Sequence, residues 1–281
     1  MPNLAVNGID LDYEIVGDGA PIVLVHGSSV DRTSWDPVVR DLASGFLVLT
    51  YDRRGHGKSG SATDGVSIDK DVSDVAALVR ALGFAPCHVV GSSFGALISL
   101  RLAARHPELV RSLAVHEPPI LFTLVGDLEQ LPVLEELLRI GGEILEQVER
   151  GDRPGGAKRF VDELALGSGG WKSLTDEQRE VFTANIRCWL DERAQPAAYD
   201  LDRRELSKFP GPVLISEGGR SPKHLKRITA KIHADALPNA RYEVIESWGH
   251  APQLTHPAEY AALIREFVSS VAGAGSGTRS A

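Results

Sequence analysis

The chain has 281 residues, 43% of them hydrophobic and 24% charged, enough to bury a full core in one large domain or in one domain carrying an insertion. A formal net charge of −8 argues against a nucleic-acid partner, which needs Lys and Arg clustered on one face. Two cysteines, Cys87 and Cys188, supply neither a disulfide framework nor a metal-binding pattern. Nowhere do about 18 apolar residues run together, and residues 1–6 show no basic region followed by an apolar stretch, so a cytoplasmic protein with no membrane partner is expected.

In chain order, residues 4–16 mix apolar and polar side chains around Asn7-Gly8, the signature of an edge hairpin. Apolar runs at 22–25, 46–50, 88–90, 112–115 and 213–215 read as buried strands, and 241–245 supplies a last one. Between them, Val72, Val75, Val79 and Leu82 are spaced to place one apolar stripe on one face of a helix. Strands alternating with helices predict an α/β fold whose central sheet is mostly parallel, flanked by helices, with an antiparallel beginning.

From 119 to 209 the strand signal vanishes and helical patterns take over at 127–149, 156–166 and 175–192. Thr175-Asp176-Glu177-Gln178 fits a capping box, and 167–170 supplies a glycine-rich break before Trp171. The expected division is an α/β core of residues 1–118 and 210–281 with a helical cap of residues 119–209. Leu121, Phe122, Leu124, Val125, Phe182 and Trp189 are candidates to line a pocket beneath that cap, most of them as packing. Lys223, Lys226, Arg227 and Lys231 read as a solvated helix face, and the tail 273–281 is expected to fray.

The most informative run is Gly91-Ser92-Ser93-Phe94-Gly95, which follows an apolar stretch and opens the helix pattern of 96–105. Strand, sharp turn and helix form the setting of a nucleophile elbow, in which flanking glycines let the chain turn tightly enough to present Ser93 above the sheet. His26-Gly27-Ser28 ends a second apolar run, Asp52-Arg53-Arg54-Gly55-His56-Gly57-Lys58-Ser59 a third, and Gly249-His250 follows the last strand. Gly57-Lys58-Ser59 looks like the tail of a phosphate-binding loop, but Asp52 stands where that loop needs its first glycine. No dinucleotide fingerprint is present, and neither a cofactor nor a metal is implied.

Together these motifs resemble the α/β-hydrolase superfamily over nearly the whole chain. The resemblance implies an oxyanion hole built from the backbone N–H groups of Ser28 and Phe94, with Ser93 as nucleophile and His250 as general base. His26 and His56 then brace loops, His106 and His256 precede prolines at helix ends, and His224 and His233 sit on a surface helix. None pairs at metal-ligand spacing.

Many members of the superfamily carry the catalytic acid about three residues beyond a glycine at the end of the strand after the lid. Here that glycine is Gly218, and Ser221 occupies the acid's place. Glu117, at the end of the strand before the lid, fills the gap, an arrangement similar to that of some haloalkane dehalogenases and of zearalenone-degrading lactonases. Glu217 stays open as the alternative acid, and His116 reads as a packed neighbour.

The reaction implied is hydrolysis of a small-molecule carboxylic ester or lactone through an acyl-enzyme on Ser93. Carbon–carbon bond hydrolysis, cofactor-free oxygen chemistry and a non-catalytic small-molecule receptor remain open on the same scaffold. Acyl size and oligomeric state depend on lid geometry and surface patches that periodicity does not locate.

Overall fold

The computed structural model describes residues 2–60, 67–124, 128–237 and 239–274. Strands β1 (Asn3–Val6) and β2 (Ile9–Val16) pair antiparallel through a turn in which Asn7 and Gly8 both have positive φ, 46° and 79°. That is the twist a two-residue hairpin requires, and Asn-Gly adopts it at low cost. There follow β3 (Ala20–Val25), α1 (Asp36–Leu42), β4 (Phe46–Tyr51), α2 (Ile68–Ala81), β5 (Cys87–Ser92), α3 (Phe94–Arg105) and β6 (Val110–His116).

Between β6 and β7 the regular elements among the described residues are helical: α4 (Leu131–Glu149), α5 (Arg153–Arg159), α6 (Gly170–Ser173), α7 (Asp176–Arg193) and α8 (Arg203–Leu206). The chain then runs through β7 (Val213–Gly218), α9 (Lys223–Ala236), β8 (Arg241–Ile245), α10 (Pro252–Thr255) and α11 (Pro257–Ala274). The eight strands form one sheet in the order β1-β2-β4-β3-β5-β6-β7-β8, parallel from β4 to β8. Its central strands are buried on both faces, which is why they read as unbroken apolar runs rather than alternating ones.

One core lies between the sheet and α2, α3 and α9, a second between the sheet and α1 and α11 around Trp35, Trp248 and Tyr260. A third, with Ile144, Phe160, Ile186 and Trp189, holds α4, α5 and α7 to one another. The capping box at Thr175 forms, with Gln178 N–H donating to Thr175 Oγ1 and Thr175 N–H to Gln178 Oε1. The helix expected over 156–166 is split instead into α5 and a π-helical turn, Phe160–Ala165.

The helix expected from 127 starts at Leu131, and residues 125–127 lie outside those described. Of the tail expected to fray, Gly273 and Ala274 continue α11, while 275–281 lie outside the described residues. Both cysteines are free thiols, Cys87 buried in β5 and Cys188 donating to the Gly55 carbonyl at 3.1 Å.

The topology locates the site. The chain leaves β3 for β4 on one side and later returns to β5 on the other, so a crevice opens at the carboxyl ends of β3 and β5. His26-Gly27-Ser28 and Ser93 stand at those two ends.

Candidate active site at the carboxyl edge of the sheet

Ser93 lies between the last residue of β5 and the first of α3 with φ 55° and ψ −126°, a conformation that costs a non-glycine residue about 1–3 kcal/mol. Its surroundings hold it there: the Ser93 N–H donates to the His116 carbonyl at 2.9 Å, and its own carbonyl accepts from Ala96 N–H at 2.8 Å. A Cβ on Gly95 would collide with the carbonyl oxygens of Val25 and His26, so only glycine lets α3 approach β3 this closely. Phe94 thereby opens the N-terminus of α3, whose first N–H groups have no partner within the helix.

The loop after β3 comes equally near, since a Cβ on Gly27 would stand 3.0 Å from Ser93 Cβ. His26 Nε2 accepts from Arg53 N–H at 3.0 Å, leaving Nδ1 to donate to the Gly27 carbonyl at 2.9 Å. His56 Nδ1 lies 3.0 Å from the Arg54 carbonyl. Burial, with the Arg53 charge, brings the His56 pKa down to about 3, and burial with His56 and Arg53 lowers His26 well below its ordinary value.

Behind this loop is a group the sequence did not reveal. Ser28 Oγ donates to Glu192 Oε2 at 2.5 Å, and Arg53 Nη2 donates to Glu192 Oε1 at 2.6 Å. Arg53 Nε also meets Asp71 Oδ1 at 3.2 Å, and all three charged side chains are buried. Burial raises the Glu192 pKa, and the Arg53 charge and the hydrogen bonds from Ser28 and Arg53 only partly oppose it. The sequence held one clue, an Arg53-Arg54 pair whose burial would demand carboxylates. Asp71 and Asp74 answer it from α2, but Glu192 arrives from 139 residues away on α7.

His250 follows β8, and its Nδ1 donates to Glu117 Oε2 at 2.6 Å. The other carboxylate oxygen, Oε1, accepts from Gly218 N–H at 2.8 Å, and Glu117 itself turns out of β6 at φ 45°. Burial alone would raise the Glu117 pKa. The charges of His116 and His250 and the hydrogen bond from His250 outweigh it and bring the value down to about 2. The Ser221 hydroxyl faces the same carboxylate from outside strict hydrogen-bond geometry and adds a smaller contribution.

Glu217 points elsewhere, accepting from Tyr242 Oη at 2.5 Å. His116 packs edge-on against Trp248 and Tyr260, and burial lowers its pKa to about 4. Its ring nitrogens lie 3.0 Å from Ser216 Oγ and 3.3 Å from the Gly249 carbonyl. Folding does bring His116, Glu117 and His250 together, with potential ligand atoms all within 4.8 Å. Those atoms already face hydrogen-bond partners in a buried setting, so the cluster reads as a carboxylate–imidazole pair with a packed neighbour.

Ser28, Ser93 and His250 open onto one cavity of about 280 Å³. Of the pocket candidates, Leu121 and Trp189 line it, whereas Leu124 and Phe182 pack in cores. The Phe122 side chain and Val125 lie outside those described.

The sequence expectation for His224 needs correcting. Its helix, α9, does present Lys223 and Arg227 to solvent, but His224 is half-buried and lines the cavity. Burial and then the neighbouring His250 lower its pKa to about 4.

A parallel sheet with a strained serine at the carboxyl end of a central strand, and a buried carboxylate–imidazole pair beside it, describes a class of hydrolases. The alpha/beta hydrolase family matches residues 22–263, and the chain belongs to that family. It is 34% identical to "Uncharacterized hydrolase YraK" of Bacillus subtilis over 59% of this chain and 63% of that one. It is 30% identical to "Putative non-heme bromoperoxidase BpoC" of Mycobacterium tuberculosis over 94% of this chain and 99% of the relative.

The pimeloyl-[acyl-carrier protein] methyl ester esterase of Aeromonas hydrophila is 27% identical over 92% of this chain and 100% of its own. Among solved structures, an alpha/beta hydrolase from Sphaerobacter thermophilus superposes with a TM-score of 0.76 at 26% identity. That match covers 95% of this chain and 100% of the other. Among the described residues, no helix is long and apolar enough to cross a membrane.

Proposed function

We propose that the protein hydrolyses a carboxylic ester or lactone by way of an acyl-enzyme on Ser93. The observation that carries this reading is the 2.6 Å contact of His250 Nδ1 with the buried, ionised Glu117, in a site whose His250 shares one cavity with the strained Ser93. A carboxylate at Nδ1 keeps the hydrogen on that nitrogen and leaves Nε2 as a base.

Ser93 Oγ attacks the carbonyl carbon while His250 Nε2 takes its proton. The C=O electron pair moves onto oxygen, and the backbone N–H groups of Phe94 and Ser28 hold that charge. One such donor contributes about 2.7–4 kcal/mol. The intermediate collapses, the C–O bond breaks, and His250 returns the proton to the leaving oxygen. Water, deprotonated by His250, then attacks the acyl-enzyme and restores Ser93. Residues 119–209 serve as the cap that keeps bulk water from the intermediate, and the ester-cleaving relative supports the bond type.

The test is trapping with an alkyl fluorophosphonate followed by peptide mass spectrometry. The expected outcome is one adduct, on the peptide bearing Ser93, with ester turnover lost in Ser93→Ala. Ester turnover that survives Ser93→Ala would remove the acyl-enzyme and move weight to carbon–carbon or oxygen chemistry.

A further inference from the structure

The wall of the cavity contributed by the helical segment carries a charge that the hydrolysis of a simple ester does not use. Arg193, the last residue of α7, lines the cavity, and its Nη2 donates to the Leu138 carbonyl at 2.9 Å. α4 makes room for it at Gly141, where a Cβ would collide with Arg193 Nε. Arg32, Arg53, Arg54, Arg101 and Arg159 each face a carboxylate, but none of the described carboxylates pairs with Arg193. The adjacent Glu192 is committed to Ser28 and Arg53.

Tyr199 stands on the same wall, only 8% exposed, its ring edge-on to Phe94 at 5.8 Å. Its hydroxyl has no hydrogen-bond partner among the described residues; burial and then the Glu192 carboxylate push its pKa up, and the Arg193 and Arg53 charges only partly oppose them. Among the described residues no Asp or Glu lines the cavity, and the remaining lining is mostly leucine, with Phe160 and Trp189. A guanidinium with no carboxylate partner and a phenol with no hydrogen-bond partner among the described residues, lining one apolar cavity, offer donors to an anion. A carboxylate matches the flat fork of arginine, with the phenol as a further donor. The volume, about 280 Å³, lies at the small end of small-molecule pockets and suits a compact ligand.

We propose that the substrate is a short acid-ester, an apolar body bearing the scissile ester or lactone together with a free carboxylate, and that Arg193 and Tyr199 bind that carboxylate. This rests on the hydrolytic reading above. Arg193 and Tyr199 select the substrate and take no part in bond breaking.

The experiment compares monomethyl adipate with dimethyl adipate on wild type, Arg193→Gln, Arg193→Lys and Tyr199→Phe, each checked for folding by thermal melting. In parallel, adipate is titrated into Ser93→Ala with the fluorescence of the cavity-lining Trp189 as readout. Wild type is expected to favour the half-ester at least tenfold in kcat/KM. Arg193→Gln should abolish that preference, chiefly through KM, with partial rescue in Arg193→Lys and a smaller loss in Tyr199→Phe. A wild-type preference for the diester, or a ratio unchanged in Arg193→Gln, overturns the proposal. Adipate binding that needs Arg193, without turnover of either ester, would keep the carboxylate site and retire the ester reading. Turnover without selectivity would do the reverse.

Discussion

Replacing Glu117 by glutamine changes one atom and should nearly extinguish activity. In the native arrangement Oε1 accepts the Gly218 N–H at 2.8 Å and Oε2 faces His250 Nδ1 at 2.6 Å. A glutamine can keep the first contact only by giving its oxygen to Gly218, which turns its NH₂ toward His250. That donor forces Nδ1 to accept, places the ring hydrogen on Nε2, and removes the base that Ser93 needs.

The lost charge adds to this. A full imidazolium and carboxylate with centres about 4 Å apart interact by about 4 kcal/mol at an effective dielectric of about 20. At about 1.4 kcal/mol per tenfold that is roughly 10³, and the wrong tautomer carries the loss toward about 10⁴, the scale of the equivalent change in a serine protease. The assay is kcat/KM for a short-chain activated ester, with Ser93→Ala as the blank and Glu217→Gln as the companion. Glu217, engaged by Tyr242, should tolerate the change within about threefold. A Glu117→Gln variant that keeps more than about a tenth of wild-type activity, or a Glu217→Gln variant that collapses, would refute the assignment of the acid.

Two further outcomes concern the buried charges. Glu192→Ala leaves Ser28 without its acceptor and Arg53 with Asp71 and the Gly27 carbonyl. It should cost about 3–5 kcal/mol in urea unfolding, with a smaller loss for Glu192→Gln, and a change under about 1 kcal/mol would show that the network carries little. Burial holds His26, His56 and His116 below the ordinary imidazole value, His56 at about 3 and His116 at about 4. In the unfolded chain they titrate near about 6.5, so below that pH the unfolded state binds more protons. Stability should then fall by about 1.4 kcal/mol per pH unit for each histidine until the folded pKa is reached. Glu117 works in a lower window, its contribution complete above about 4.3 and lost as the pH falls through about 2. The urea midpoint should be lower at pH 5 than at pH 7, and equal midpoints would contradict buried neutral histidines.

The features legible in the sequence are those written at short range. The Asn7-Gly8 turn, the apolar strands, the Thr175 cap and the elbow at Ser93 each depend on residues within a few positions of one another. Backbone sterics and the periods of strand and helix act over that distance. His224 shows the limit of such reading. It lies four residues before Ile228 and beside Leu225, at the edge of the apolar stripe of α9, and periodicity cannot say whether that edge meets solvent or a cavity.

What only the tertiary structure decided is which distant groups share a volume. Two glutamates, Glu117 and Glu217, stand at equivalent places at the ends of adjacent strands, and the local chain does not rank them. The register that pairs His116 with Ser216, together with the positive φ at Glu117, aims that carboxylate at His250 and leaves Glu217 to Tyr242. Glu192 reaches Ser28 because α7 packs over the sheet edge, and Arg193 meets the cavity for the same reason. Such contacts come from the docking of whole elements. Their free energy is spread over many apolar side chains, so no single residue announces them.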